Sequence, residues 1–334
     1  GDRVQFLHYI SEVYLTSGRG STVTLDFGGD GGYIDAIQST GADRITLYGD
    51  IVDLTFIGLG FNDTLINETT IEATADNFTV DAAVENNGDI HVSSSSSGAN
   101  YIVGYGSDYQ QAHYIAGPAY TGGFVQSVSG LLEVSAQGGH DYGGYMLTLE
   151  MENAGLISVS GDADVFNTLV SVLEVQSISS GQLERGSFTQ TASGTLSVSS
   201  GGIVSAGSFH NEGLVILESD YYNHASLLLD GSYHESGTLW STTADSVYVS
   251  SVNVIHLDTF VLEAAGEIIV DSRLFFSNPL QTLDLRLGQV TFDPSIGAIG
   301  LEGGTLILGE NSDFRGYGYL GFPDIDNSND DIWN

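Results

Sequence analysis

The chain of 334 residues contains no cysteine, no lysine and only 4 prolines. Without cysteine there is no disulfide framework, no thiolate metal site and no cysteine nucleophile. Without lysine, positive charge rests on Arg3, Arg19, Arg44, Arg185, Arg273, Arg286 and Arg315. Against 43 acidic residues these leave a net charge of −36. Such a surface repels nucleic acid, anionic lipid and polyuronates, because binding them requires clustered cations. No apolar run reaches membrane-spanning length, and no segment carries a sustained helical apolar stripe. There is no signal peptide, and the chain reads as a mature N-terminal domain of something larger. Any anchor is expected outside these residues.

Glycine is abundant, with 44 residues set among runs of Ser, Thr, Val, Leu and Ile. That mixture suits many short strands joined by tight turns. A phrase recurs with small edits. It reads Gly-Gly-Phe-Val-Gln-Ser-Val-Ser-Gly-Leu-Leu-Glu-Val at 122–134 and Gly-Ser-Phe-Thr-Gln-Thr-Ala-Ser-Gly-Thr-Leu-Ser-Val at 186–198. Shortened forms follow at 207–215 and 231–239, so Phe188, Phe209 and Tyr233 are 21 and 24 residues apart. A unit with that period cannot bury its apolar face alone and must stack on its neighbours. The expected fold is all-β: a parallel β-helix, with right-handed connections as the default.

The marker Gly-X-apolar-X-apolar starts at Gly88, Gly130, Gly155, Gly194, Gly213, Gly237, Gly266 and Gly304. Alternate side chains of each marked strand are expected to face the interior. Gly, and the Asn that precedes it in several copies, tolerate the left-handed backbone of a sharp corner. Marker gaps of 42 and 39 residues (88 to 130, 155 to 194) read as two coils with the middle marker degraded. From Val247 the period fades and the strands look longer (Val247–Ile255, Phe260–Ala264, Leu283–Phe292). The expected organisation is therefore a β-helix with an N-terminal cap over 1–249 and a β subdomain or irregular last coils over 250–325. An acidic linker over 326–334 completes the chain.

The phrase Gly-Ser-Phe-X-Gln/Asn-X-X-Gly-X-Leu-X-Val, at 186–198 and 207–217, resembles the N-terminal domain of the hyphally regulated cell-wall proteins of yeasts. That family includes adhesin-like wall proteins of Candida. The resemblance covers most of 80–240. It implies a right-handed parallel β-helix, followed in some members by a small α-crystallin-like β-sandwich. It also implies display at the fungal cell wall surface on a glycolipid-anchored stalk, and no catalytic residues to carry over.

The function expected is therefore a non-enzymatic, extracellular adhesin-like domain, monomeric and without cofactor, meeting glycans, host proteins or abiotic surfaces. The alternative is a carbohydrate-binding or polysaccharide-degrading secreted β-helix; a bacterial secreted β-helix passenger is a third reading. A polysaccharide-cleaving site of this fold needs cations for uronates and paired carboxylates on adjacent coils. Arg185 is the sole arginine between Arg44 and Arg273, and Gly139-His140-Asp141 is a poor partial match to the hydrolase blocks.

Among candidate ligands, Tyr105, Tyr109 and Tyr114 fall in a Gly-rich segment with Tyr101 and Tyr120. Tyrosines can stack on sugar rings and bond their hydroxyls; the bland alternative is that they secure a loop against the coil. His210 and His234 occupy equivalent repeat positions and are expected to stack about 5 Å apart, with His224 between them in sequence. A surface ladder is the reading favoured over a metal site. The tail over 324–331 has oxygen side chains at alternate positions but lacks the turn glycine of a calcium loop, and reads as a linker. Ser94–Ser97 reads as a solvated turn, with an O-glycosylated patch as the alternative. Asn62, Asn67 and Asn77 each open an N-glycosylation sequon.

Overall fold

The computed structural model describes residues 2–5, 10–16, 22–26, 32–40, 44–52, 56–58, 64–73, 77–81, 83–94, 100–103, 124–136, 145–164, 167–169, 171–179, 182–199, 201–220, 223–244, 252–292 and 297–321. Every described element is a strand. Three strands make one coil in the better repeated part of the chain. Ser208–Asn211, Leu214–Ser219 and Ser226–Leu229 form such a coil. They pair in parallel with Ser232–Glu235, Thr238–Thr243 and Val252–His256 of the next. The same three ladders define a first, second and third face and run on to Thr305–Ile307, Asp313–Gly316 and Tyr319–Gly321. Parallel pairing also holds at the other end, where Asp2–Gln5 lies beside Thr22–Asp26. The fold is a parallel β-helix, as the repeated phrase implies.

The register bears on three expectations. First, of the two readings of 250–325, the register matches further coils rather than a separate β subdomain. Val252–His256 continues the third ladder, and Thr259–Leu262 and Glu267–Val270 continue the other two. The apparent long strand at Leu283–Phe292 is two strands, Thr282–Asp284 and Gln289–Phe292, on different faces of one coil. Second, the wide marker gaps are single coils. Asp89 pairs directly with Leu131, and Leu156 with Thr195. The second gap is lengthened by two antiparallel excursions, Asp162–Asp164 with Asn167–Leu169, and Ser171–Ser179 with Gln182–Arg185.

The third expectation concerns glycine. A Cβ built on Gly213 would lie 2.2 Å from the carbonyl oxygen of Gly194, and one on Gly237 would lie 2.1 Å from that of Gly213. Neither glycine has a positive φ, whereas the marker glycine Gly304, at φ 95°, keeps the left-handed backbone expected of a corner. The coil does turn at Gly213 and Gly237, but glycine is required there because consecutive coils approach too closely for any side chain.

Alternation along each strand sends one set of side chains inward. On the first face the inward column is Val84, Phe124, Met151, Phe188, Phe209, Tyr233, Phe260 and Leu283, all buried. Phe209 and Tyr233 stack with centroids 5.0 Å apart, as do Tyr233 and Phe260. Phe188 meets Phe209 edge-on at 4.5 Å. Leu196 and Val198 on the second face are wholly buried, with Leu173 and Val204 opposite on the third.

Two residues after the aromatic column lies a buried polar one: Asn67, Asn86, Gln126, Asn153, Gln190, Asn211 and Glu235. Amide bonds to amide along the axis. Asn86 Nδ2 donates to Gln126 Oε1 at 3.0 Å, Asn153 Nδ2 to Gln190 Oε1 at 3.0 Å, and Gln190 Nε2 to Asn211 Oδ1 at 2.8 Å. The same nitrogens reach the backbone of the following coil, at Leu131, Thr195 and Leu214. This is the role of the Gln/Asn in the repeated phrase. A satisfied buried network fixes which coil residue meets which.

Candidate functional site

Outward columns reveal what the solenoid offers to a ligand. Along the second face one column runs Ser158, Ser197, Ile216, Trp240, Ile269, Thr291 and Arg315. Small hydroxyls on the earlier coils give way to an Ile–Trp–Ile run. Trp240 is half-buried between its column neighbours, and its indole N–H donates to Asp271 Oδ2 at 2.7 Å. Along the first face the matching column is Thr189, His210, His234, Val261, Asp284 and Ile307.

Between these columns lies the corner joining the first and second faces. In the last coils the corner turns 263–266, 285–288 and 308–312 stack into a ridge with two adjoining depressions. One, of about 560 Å³, is lined by residues including Gly266, Glu267, Gln289 and Asp313. The other, of about 520 Å³, is lined by Val261, Asp284, Arg286 and Glu310 among others. Leu287 and Asn311 border both.

The polar groups there are held by one another. Gln289 Nε2 donates to Glu267 Oε1 at 2.7 Å and to Thr291 Oγ1 at 2.9 Å, and Thr291 Oγ1 also donates to Glu267 at 3.2 Å. Arg286 clamps Asp284 through Nε at 2.8 Å and Nη2 at 2.5 Å. Hydrogen bonding from that guanidinium keeps the Asp284 carboxyl below its ordinary range. Arg315 holds Asp313 in the same way, through Nη2 at 2.7 Å and Nε at 3.1 Å. An ordered set of amide, hydroxyl and carboxylate groups beside Leu287 suits a polar, ring-bearing ligand: hydrogen bonds around the rim, an apolar surface beneath.

The histidines resolve into a paired surface ladder. His210 and His234 are in register, with ring centroids 6.3 Å apart. His210 Nε2 lies 3.4 Å from Glu212, and His234 Nδ1 lies 3.3 Å from Glu263. Glu212 follows His210 by two residues in its own turn, whereas Glu263 reaches His234 from the turn of the next coil. His224 is elsewhere, with Nδ1 2.8 Å from the Val252 carbonyl. Among the described residues, no three His, Asp or Glu side chains are grouped to hold a metal.

Asn67 is corrected as a glycosylation site. It is wholly buried, the first member of the polar column, and its Nδ2 donates to Asn86 Oδ1 at 2.9 Å. In the folded chain that nitrogen is not offered to a transferase. Asn77 opens the strand Asn77–Asp81, and its side chain lies outside the description. Asn62, the tail over 324–331 and the tyrosines Tyr105, Tyr109 and Tyr114 lie outside the described residues. The strands flanking the tyrosine segment belong to consecutive coils, Val103 ending one and Phe124 opening the next. The Trp240 run and the corner depressions were missed in sequence. Trp240 replaces the Ser of Gly-Thr-Leu-Ser-Val in an otherwise matching phrase, Gly-Thr-Leu-Trp, and that single exchange was the available signal.

No family model matches the chain, and no curated protein does. One similar solved structure is the crystal structure of a TibC-catalyzed hyper-glycosylated TibA55-350 fragment. It is 14% identical, covers 95% of this chain and 100% of that chain, and has a TM-score of 0.30. A superposition that loose carries no argument about ligand or location.

Proposed function

We propose that this chain is a non-enzymatic, extracellular adhesin-like domain whose ligand is an uncharged glycan, held along the corner between the first and second faces. The observation that carries this reading is the outward Ile216–Trp240–Ile269 run beside the depression lined by Glu267, Gln289 and Asp313. Indole stacks on sugar rings, and the amide oxygen and carboxylates beside it accept from ring hydroxyls. The net charge of −36 favours uncharged over anionic sugars.

The engagement of Asp284 and Glu267 supports the part of this reading that is binding without catalysis. A glycosidase needs one carboxyl that keeps its proton as general acid. Asp284 is held ionised by Arg286, and Glu267 is engaged with Gln289 and Thr291. Display at a fungal wall, which the resemblance of the repeated phrase implies, belongs to the same proposal.

The test is an array of neutral and acidic glycans, with wild type compared against Trp240→Ala and Gln289→Ala. Binding of neutral glycans, weakened about tenfold or more by either change, supports the site. Binding indifferent to both but lost on replacing Tyr105, Tyr109 and Tyr114 by Ala would move it to the tyrosine segment. No binding to any glycan would overturn the ligand class.

A further inference from the structure

The corner between the second and third faces contains buried polar atoms with no partner. Ser219 Oγ, Asn253 Oδ1 and both side-chain polar atoms of Asn223 are inaccessible and unbonded. These residues are 0%, 0% and 2% exposed for Ser219, Asn253 and Asn223 respectively. Stranding a buried polar group typically costs about 1–3 kcal/mol, so four such atoms in one place call for an occupant.

Register brings them together. Asn253 Nδ2 donates to the Leu217 carbonyl at 2.9 Å, and Ser219 is the next inward residue on that strand. The same nitrogen reaches the Thr242 carbonyl and the hydroxyls of Ser241 and Ser272. With two hydrogens already facing four acceptors, the amide orientation is set, and Oδ1 points away from them. Val254 N donates to the Ala225 carbonyl, which places Ala225 opposite Asn253, and Asn223 lies two residues before Ala225 on the same inward side. Asn223 is fixed there by its own turn, with its N–H donating to Asp220 Oδ1 at 2.7 Å. One residue step on a strand is about 3.3 Å, and the three residues therefore face the same inward corner of two neighbouring coils.

We propose that this corner is a binding site for ordered water, held by Asn223, Asn253 and Ser219 inside the coil. The chemistry selects water over a cation. The unpartnered set mixes an amide donor with two amide oxygens and a hydroxyl, and it contains no carboxylate. A buried water makes about three hydrogen bonds and both donates and accepts. Asn253 otherwise sits in an apolar column, between Ala225 and Leu274, with Ile299 beyond. Water gives that asparagine a reason to be there: it bridges the strand end of one coil to the strand start of the next.

Two measurements test this. A high-resolution crystal structure of the unmodified chain is expected to show water within hydrogen-bond distance of Asn253 Oδ1 and of Asn223. An empty corner, or an ion at coordination distance, overturns the proposal. In solution, Asn223→Leu discriminates, because the side chain it removes bonds no protein group. If the corner is dry, the leucine relieves two stranded polar atoms and the melting temperature rises. If water is bound, the leucine displaces it, strands Asn253 and Ser219, and the melting temperature falls. An unchanged or raised value overturns the proposal.

Discussion

At Glu235 the buried amide column meets a group that can ionise. Burial pushes its carboxyl from an ordinary 4.5 up to about 8, against hydrogen bonds from Asn211, Tyr233 and the Gly237 N–H that pull the other way. Tyr233 Oη donates to Oε2 at 2.8 Å, and burial raises the tyrosine well above its usual value too. The unfolded chain releases the Glu235 proton near 4.5, whereas the folded chain keeps it to about 8. Unfolding is therefore progressively favoured as pH rises through that window, and stability is greatest on its acid side. The loss is on the order of 5 kcal/mol across the window. Glu235→Gln is expected to flatten that part of the stability profile, as read by denaturant titrations from pH 4 to 9. Leu196 makes the complementary case in the apolar interior. It is wholly buried, so Leu196→Asp places a carboxylate among leucines and valines and is expected to remove roughly 4 kcal/mol or more. A variant that keeps the native melting curve would refute its inward placement.

Among the elements, corner turns carry the tightest constraint. Gly213→Ala sets a methyl against the Gly194 carbonyl at 2.2 Å, and the obstacle is backbone that cannot swing aside. A loss of about 2 kcal/mol or more is expected, whereas Glu212→Ala, exposed on the neighbouring turn position, is expected within about 0.5 kcal/mol. Equal effects would show that the coils can spread. These turns also explain what was legible in the sequence. Glycine and the Phe-X-Gln/Asn phrase recur because both face fixed neighbours in the coil below, so the fold could be read from 122 to 239. The phrase fades afterwards for a local reason. Beyond Glu235 the polar corner column becomes Leu262, so the amide marker is lost while the ladder continues. The change of character read near 250 traces to that exchange. The candidate site was less legible because it depends on outward columns. Trp240 and Gln289 are 49 residues apart in sequence but only two coils apart in space. The buried Asn67 shows the converse: a sequon is a local pattern, and its exposure is decided by the coil.

Across the whole molecule, 43 acidic residues against 7 arginines leave a large excess of like charge. Self-repulsion of this kind opposes the compact state and is relieved by salt. Going from about 0.01 M to above 0.1 M salt shortens the screening length from about 30 Å to under about 10 Å. The melting temperature is expected to rise over that range, read by circular dichroism; a fall would mean that attractive ion pairs such as Arg185–Asp230, at 2.6 Å, dominate instead.

The two hydrogen-bond seams, backbone ladder and amide column, both run along the axis, and that orientation decides how the molecule yields to force. Tension applied along the axis loads the bonds between one pair of coils before the next. Coils then peel away singly. A coil such as 209–232, with 24 residues, releases on the order of 80 Å of chain as it straightens. A solenoid built this way gives length in instalments under load.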